Sequence, residues 1–417
     1  MISRVTSIAT ALSLLGVASA WLPQQNVDRM EARDGSNLFN TTKQIEGRWL
    51  TTDGKPLRGV NLGSQFILEP WMASNTWSSM GCGGQNSEFD CVSHLGQSAA
   101  NSAFQSHWGS WIVESDLNDM QSYGLNAIRI PLGYWLDESI VYSDSEHFPK
   151  GALSYLKKIC GWASDRGFYI VLGMHGAPGA QVAQNAFTGQ YASTPGFYVD
   201  YQYERALKFL EYLVTEVHSN TEYRNVGMIE LVNEPLQNTG SQTTSMRESY
   251  YKDAWDRVHS KEDSLGVTGN GQVHLLVMND NWGSGNPTEW MNGWYVAYDD
   301  HRYLKYDSSV SVSQSAYLSA SCNDASQSDS PGIVGEFSLS PPDNVEKTSA
   351  WAPSDNKDFY TKWFAAQVSS YEKHNLGWFF WSWKTELGDY RWSYKEAVEA
   401  GVIPKDPGSV DRSAACS

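Results

Sequence analysis

The 417-residue sequence has no apolar run that could cross a bilayer. A transmembrane helix needs roughly 18 unbroken apolar residues; the apolar run near the N-terminus is too short, and no later segment reaches that length. An excess of basic residues is missing too, because 30 Lys and Arg stand against 47 Asp and Glu for a net charge of −17. Such a chain is repelled by nucleic acid and by anionic membranes, which leaves a neutral partner as the expectation. No Ser/Pro linker or charge block divides the chain, and no short-period repeat runs through it. Its histidines, cysteines and carboxylates show no local metal-ligand spacing, so neither a metal nor a cofactor is expected.

What is present begins with Arg4, an apolar run from Ile8 to Val17, and Ala18-Ser19-Ala20. That is the n-region, h-region and cleavage site of a secretory leader, so residues 1–20 are expected to be removed and the protein to be extracellular. Arg4 is the only charge in the leader, and its loss takes the remaining 397 residues to −18. Five cysteines lie beyond it, which in an exported chain implies pairs with one left over. Cys82 and Cys91 flank the Gly-rich stretch GCGGQNSEFDC and are expected to close it. Cys322 and Cys416 are expected to tie the C-terminal tail to the body, which leaves Cys160, in the helix-like SYLKKICGWA, as the free thiol. Asn40-Thr41-Thr42 is the single N-x-[ST] sequon and lies in a polar segment where a glycan would be exposed.

Residues 21–55 are polar and irregular and read as an N-terminal arm. From residue 56 to 417 short apolar runs alternate with helix-like stretches: LRGVNLG (57–63), LNAIRIPL (125–132), GFYIVLGMHG (167–176), VGMIELVNEP (226–235), VHLLVMND (273–280), WYVAYDDHRY (294–303), GIVGEFS (332–338) and LGWFFWSW (376–383). Near-continuous apolar strands separated by helices indicate a parallel sheet buried on both faces. Eight of them predict an α/β fold, a (β/α)8 TIM barrel in a single domain with loop insertions; a doubly wound open sheet is the alternative.

The polar ends of these strands carry the chemistry. Arg129 precedes Pro131 on strand two, His175 ends strand three, and Asn233-Glu234 end strand four before Pro235. Strand six ends in Asp299-Asp300-His301 with Tyr303, strand seven contains Glu336, and strand eight ends in Trp381-Ser382-Trp383. In a barrel the C-terminal strand ends converge on one mouth, where active sites form. Two carboxylates in a cleft with aromatic walls meet the needs of glycoside hydrolysis, in which one is protonated and the other ionised. Arg129 or Tyr303 beside one glutamate would keep it charged, and the like charge would raise its partner. The 18 Trp and 22 Tyr supply flat faces that suit sugar rings, although much of that aromatic content must fill the core.

LVNEP and VGEFS, with RIP, HGAPG, DDHRY and WSW, resemble glycoside hydrolase family 5 of the cellulase-like clan over residues 57–383. RGVNLGSQFILEPWM, MGCGGQNSEFDCV, HWGSWI, YSDSEHFP, CGWASDRGFY and HGAPGAQVAQNAFTGQY are similar to its fungal β-1,6-glucanase group. The resemblance implies a retaining endo-hydrolase of fungal cell-wall β-1,6-glucan, acting as a monomer on a polysaccharide. It implies Glu234 as proton donor and later base, Glu336 as nucleophile, and Asn233 on the sugar 2-OH. Arg129 would lie under the nucleophile, His175, His301 and Tyr303 would orient sugar and glutamates, and Trp381 would form the platform beneath the reacting ring. Two departures stand out: related exo-β-1,3-glucanases have D-L-H-G and N-L-G-G-W where this chain has Gly173-Met174-His175-Gly176 and Asn61-Leu62-Gly63-Ser64-Gln65. The alternatives are an exo-β-1,3-glucosidase with the same mechanism and a non-catalytic glucan-binding protein on the same barrel.

Overall fold

The computed structural model describes residues 55–291, 296–324 and 331–416. The expected leader, the arm up to residue 54 and the Asn40 sequon lie outside the described residues. Eight strands form, seven within an expected run and β2 one residue beyond its run: β1 Leu57–Asn61, β2 Ala127–Gly133, β3 Tyr169–Gly176, β4 Val226–Glu230, β5 His274–Met278, β6 Val296–Arg302, β7 Gly332–Phe337 and β8 Gly377–Phe380. Each pairs in parallel with the next, and β8 closes on β1, so the sheet is a closed (β/α)8 barrel and not an open one. Helices including Leu153–Asp165, Asp200–Ser219, Lys252–Ser264 and Lys357–His374 connect the strands. Between β5 and β6 the described residues hold no helix longer than the single turn Asp280–Trp282, in keeping with the Gly- and Asn-rich sequence there. No helix of the described residues is long and apolar enough to cross a membrane.

The strands are apolar on both sides because both sides are covered. Val60, Ile128, Ile170, Leu172, Ile229, Leu275 and Val334 pack outward in a core shared with the helices. Leu57, Ala127, Tyr169, Val171, Met228, Leu276, Ala297, Ile333 and Phe379 fill the interior as a separate cluster. Side chains alternate along a strand with a period of two. The interior series therefore runs from Ala127 to Arg129, from Met228 to Glu230, and from Ala297 through Asp299 to His301. An apolar plug thus supports a polar layer. Gly173 and Gly335 make that layer fit, since a Cβ at 173 would collide with the Glu230 carboxylate and one at 335 with that of Asp299.

Alternation alone would send Glu336 to the helix side, because Ile333 faces inward and Val334 outward. The β6–β7 register shifts between Asp300 and His301, so that Asp300 pairs with Val334 but His301 with Glu336. An extra residue in one strand re-aims the side chains beyond it, and here it turns Glu336 into the barrel. β4 also differs from expectation: the strand ends at Glu230, not at Pro235. Glu234 has φ 41°, in the left-handed region that costs a non-glycine residue of order 1–3 kcal/mol. This reversal, and not proline termination, sets the direction of its side chain.

Cys82–Cys91 and Cys322–Cys416 are disulfides, and Cys160 is free and buried on the Leu153–Asp165 helix. Trp378 and Trp383 are core residues whose indole N–H groups donate to Glu372 and Asp116.

Candidate active site

A cleft of about 580 Å³ opens at the C-terminal ends of the strands, with His175, Asn233, Glu234, His301, Tyr303, Glu336 and Trp381 in its walls. Arg129 lies immediately below, with no solvent exposure. Its Nη1 donates to Glu336 Oε1 at 2.8 Å and Asn61 Oδ1 at 2.9 Å, and its Nη2 to Glu230 Oε2 at 2.7 Å and Asn233 Oδ1 at 2.6 Å. One planar guanidinium thus fixes four side chains at once, from β1, β7, β4 and the loop that follows β4, which a point charge could not do.

Glu336 accepts a second bond, from Tyr303 Oη to Oε2 at 2.8 Å. Burial pushes the Glu336 carboxyl above the ordinary carboxylate range, while His301 and Arg129 pull it back toward the ionised form. Tyr303 is pushed well above the ordinary phenol value, chiefly by burial and by the Glu336 charge, and is a neutral donor at any working pH. Glu234 stands at the rim, with its side chain 22% exposed and Oε1 at 2.7 Å from His301 Nδ1. Burial lowers His301, but Glu336, Asp299 and Glu234 outweigh it and hold the imidazole well above its usual value. An oxygen of Glu234 and one of Glu336 lie within 4.8 Å of each other.

His175 is the counterpart case. Burial, then the charges of Arg129 and His301, press it well below the ordinary imidazole value, so it is a neutral ring. It stacks on Trp381 with centroids 5.6 Å apart and planes 7° from parallel, which holds the indole face toward the cleft. The Trp381–Ser382 peptide is cis. Asp300 points away from the mouth, toward Arg302 on the outer face.

Several cleft groups were not among the expected ones. Glu230 lies in the polar layer beside Asp299, which the end of strand six had already marked, and a period-two reading of MIELVNEP would have found it. Asp at position 173 has no counterpart here: the Glu230 carboxylate occupies the space beside Gly173. Glu69, Trp71, Trp282 and Trp392 line the cleft from loops, where no periodicity marks them. Burial raises Glu69 to about 8 against the Trp71 N–H it accepts at 2.8 Å, with the Glu336 and Glu234 charges adding to the rise. It is therefore a neutral acid able to donate to a hydroxyl. The HWGSWI stretch supports that loop, with His107 Nε2 at 2.7 Å from Ser64 O and Trp111 Nε1 donating to Gly63 O at 2.9 Å. Among the described residues, the two groups of side chains that could hold a cation share His301, which as an imidazolium has no lone pair to offer.

A buffered pair of carboxyls facing across a sugar-sized cleft, one gripped by two donors and one at the rim, is the equipment of a glycoside hydrolase on a (β/α)8 barrel. A family model described as Cellulase (glycosyl hydrolase family 5) matches residues 92–387, and the chain belongs to glycoside hydrolase family 5. It is 59% identical over 397 residues to glucan endo-1,6-beta-glucosidase B of Emericella nidulans, covering 95% of this chain and 96% of that one. A glucan 1,3-beta-glucosidase of Blumeria graminis is 29% identical over 406 residues, covering 87% and 90%. Among solved structures, rutinosidase from Aspergillus niger shares the fold with a TM-score of 0.66 at 18% identity, over 84% of this chain and 98% of that one. The protein is a glycoside hydrolase.

Proposed function

We propose that the protein is a secreted endo-β-1,6-glucanase that hydrolyses fungal cell-wall glucan with retention at the anomeric carbon. The observation that carries the mechanism is that an oxygen of Glu234 and one of Glu336 lie within 4.8 Å of each other, with no room for the water that an inverting enzyme holds between its carboxyls. Retaining enzymes hold their carboxyls about 5–5.5 Å apart, whereas inverting ones leave roughly 6.5–9.5 Å for a water between them. Glu336, ionised and oriented by Arg129 and Tyr303, attacks the anomeric carbon. The bond to the leaving O6 breaks, its electron pair stays on that oxygen, and Glu234 supplies the proton. A glycosyl ester on Glu336 results. Glu234, now a carboxylate, then takes a proton from water, whose oxygen attacks the anomeric carbon and releases Glu336. Asn233, oriented by its bond from Arg129, is placed to hydrogen-bond the sugar 2-OH, and Trp381 lies under the reacting ring.

The linkage is that of the 59% identical relative, whose name specifies endo-1,6 cleavage. Export is supported by the leader pattern of residues 1–20 and by two disulfides; protein from culture medium should begin at Trp21 and run as a monomer on sizing. The decisive experiment incubates the protein with linear β-1,6- and β-1,3-glucans and tracks early products by size and by NMR of the newborn anomer. Oligomers from the β-1,6-glucan, released first as the β-anomer, are expected. Glucose alone from the β-1,3-glucan would establish the exo-acting alternative, and α-anomer first would overturn retention. Glu336→Gln should abolish turnover, and ordinary turnover in that variant would refute the nucleophile.

A further inference from the structure

Below the two glutamates assigned to the reaction lie two more carboxyls, Glu230 and Asp299, neither with any solvent exposure. With Glu234 and Glu336 they make four acids around two cations, Arg129 and the His301 imidazolium. When Glu234 holds the proton it will deliver, three potential anions still face two positive charges. Net charge in a buried layer is costly, so one further proton belongs there.

The hydrogen bonds indicate where. Asp299 Oδ1 accepts the Gly335 N–H at 2.7 Å, and its Oδ2 lies 3.7 Å from both Arg129 Nε and His301 Nε2. The Gly335 N–H, Arg129 and His301 all favour the Asp299 anion. Glu230 accepts from Arg129 through Oε2 alone, and its Oε1 has no hydrogen-bond partner; neither has Asp299 Oδ2. Glu230, Asp299 and His301 nonetheless present atoms within 4.8 Å of one another. A buried acceptor such as Glu230 Oε1 with nothing to accept is the exception in folded proteins, and a proton on it makes it a donor. The titratable groups facing Glu230 are Arg129 from β2, Asp299 and His301 from β6, Glu336 from β7, and Tyr251 from the helical segment after β4. Burial pushes Glu230 up to about 7, against the pull of Arg129.

We propose that Glu230 is a positioning residue that holds the second proton of this layer in the resting enzyme, so that the charge of Arg129 is directed to Glu336. This rests on the roles proposed above for Glu234 and Glu336. A neutral Glu230 still accepts the Nη2 hydrogen and so keeps the guanidinium in place. An ionised Glu230 would share the guanidinium charge with the nucleophile and make Glu336 harder to ionise.

Glu230→Gln reproduces the neutral acid, with a carbonyl for Arg129 and an N–H for Asp299. Its kcat/KM on β-1,6-glucan is expected to stay within about threefold of wild type at the optimum, with the acidic limb of the pH profile unmoved. Asp299→Asn, which removes the anion, is expected to displace that limb to lower pH and to cost about tenfold or more. An acidic limb that falls by about a unit or more in Glu230→Gln would mean that Glu230 is a permanent anion and would overturn the proposal. Neutron diffraction from wild-type crystals at about pH 6 requires neither a variant nor turnover. Deuterium on Glu230 Oε1 supports the proposal, and a bare carboxylate there defeats it whatever the substrate proves to be. Failure of the roles of Glu234 and Glu336 would show separately, as turnover by Glu336→Gln.

Discussion

Tyr303→Phe removes one oxygen from the cleft and leaves the ring in place, so its effect can be worked from a single bond. In the wild type the Tyr303 hydroxyl donates to Glu336 Oε2 at 2.8 Å, and Arg129 serves the other oxygen. A hydrogen bond to a buried charged group contributes about 1.5–3 kcal/mol. That bond favours the carboxylate over the acid, so its loss should raise Glu336 further, by roughly 1–2 pKa units at 1.36 kcal/mol per unit. The sign is fixed by the chemistry: Glu336 must be ionised to attack, and activity disappears as pH falls through its pKa. Wild-type kcat/KM should therefore decline from above the ordinary carboxylate range, since burial already raises Glu336. In the variant the acidic limb should move up by the same 1–2 units or so, and kcat/KM near the wild-type optimum should drop by roughly 10- to 100-fold. The assay is kcat/KM on β-1,6-glucan across the acidic range, with thermal unfolding to show that the fold persists. An unmoved limb with a rate within about twofold of wild type would refute the assignment of Glu336 as the ionised partner of Tyr303.

Other substitutions test the surrounding structure. Arg129→Lys keeps the charge but cannot reach four acceptors, and a loss of about 100-fold or more in kcat/KM is expected; a rate near wild type would show that geometry at Arg129 is unimportant. Away from the cleft, buried Glu262 lies at 2.9 Å from His218 and 3.0 Å from His259, and these donors overcome its burial and hold it below the usual carboxylate range. A depressed folded-state pKa contributes stability above the unfolded value of about 4.3, lost as pH falls through the lower folded value. Glu262→Gln should thus unfold at lower denaturant than wild type at neutral pH, and the gap should close in acid; a gap independent of pH would exclude this origin. Cys322→Ser opens a loop of 94 residues, for which chain entropy predicts a loss of about 4–5 kcal/mol in denaturant unfolding. A change under about 1 kcal/mol would mean the tail is held by packing instead.

Much of this molecule is set by local pattern. Eight apolar runs, a period of two along each strand and polar residues at the C-terminal ends are enough to predict the closed barrel and to bring Arg129, His175, Asn233, His301, Tyr303 and Trp381 to its mouth. The Cys82–Cys91 pair comes from equally local chemistry. The same alternation, traced one residue pair deeper, points inward at Glu230 and Asp299. Loop residues escape such reasoning: Glu69 and Trp71 reach the cleft through a segment whose path is set by His107 and Trp111, which lie far along the sequence.

The orientation of the two central glutamates belongs to tertiary structure. MIELVNEP reads as a strand running to its proline, yet β4 stops at Glu230 and Glu234 turns on a left-handed residue. Glu336 would face the helices if β7 were regular, and only the register shift against β6 turns it toward Arg129. Residue types and their order determined that two carboxyls would stand near a barrel mouth. Their approach to within 4.8 Å, and the proton balance of the layer beneath them, depend on side chains from five strands meeting in one dry interior. Distance and burial between remote segments exist only once the barrel has closed.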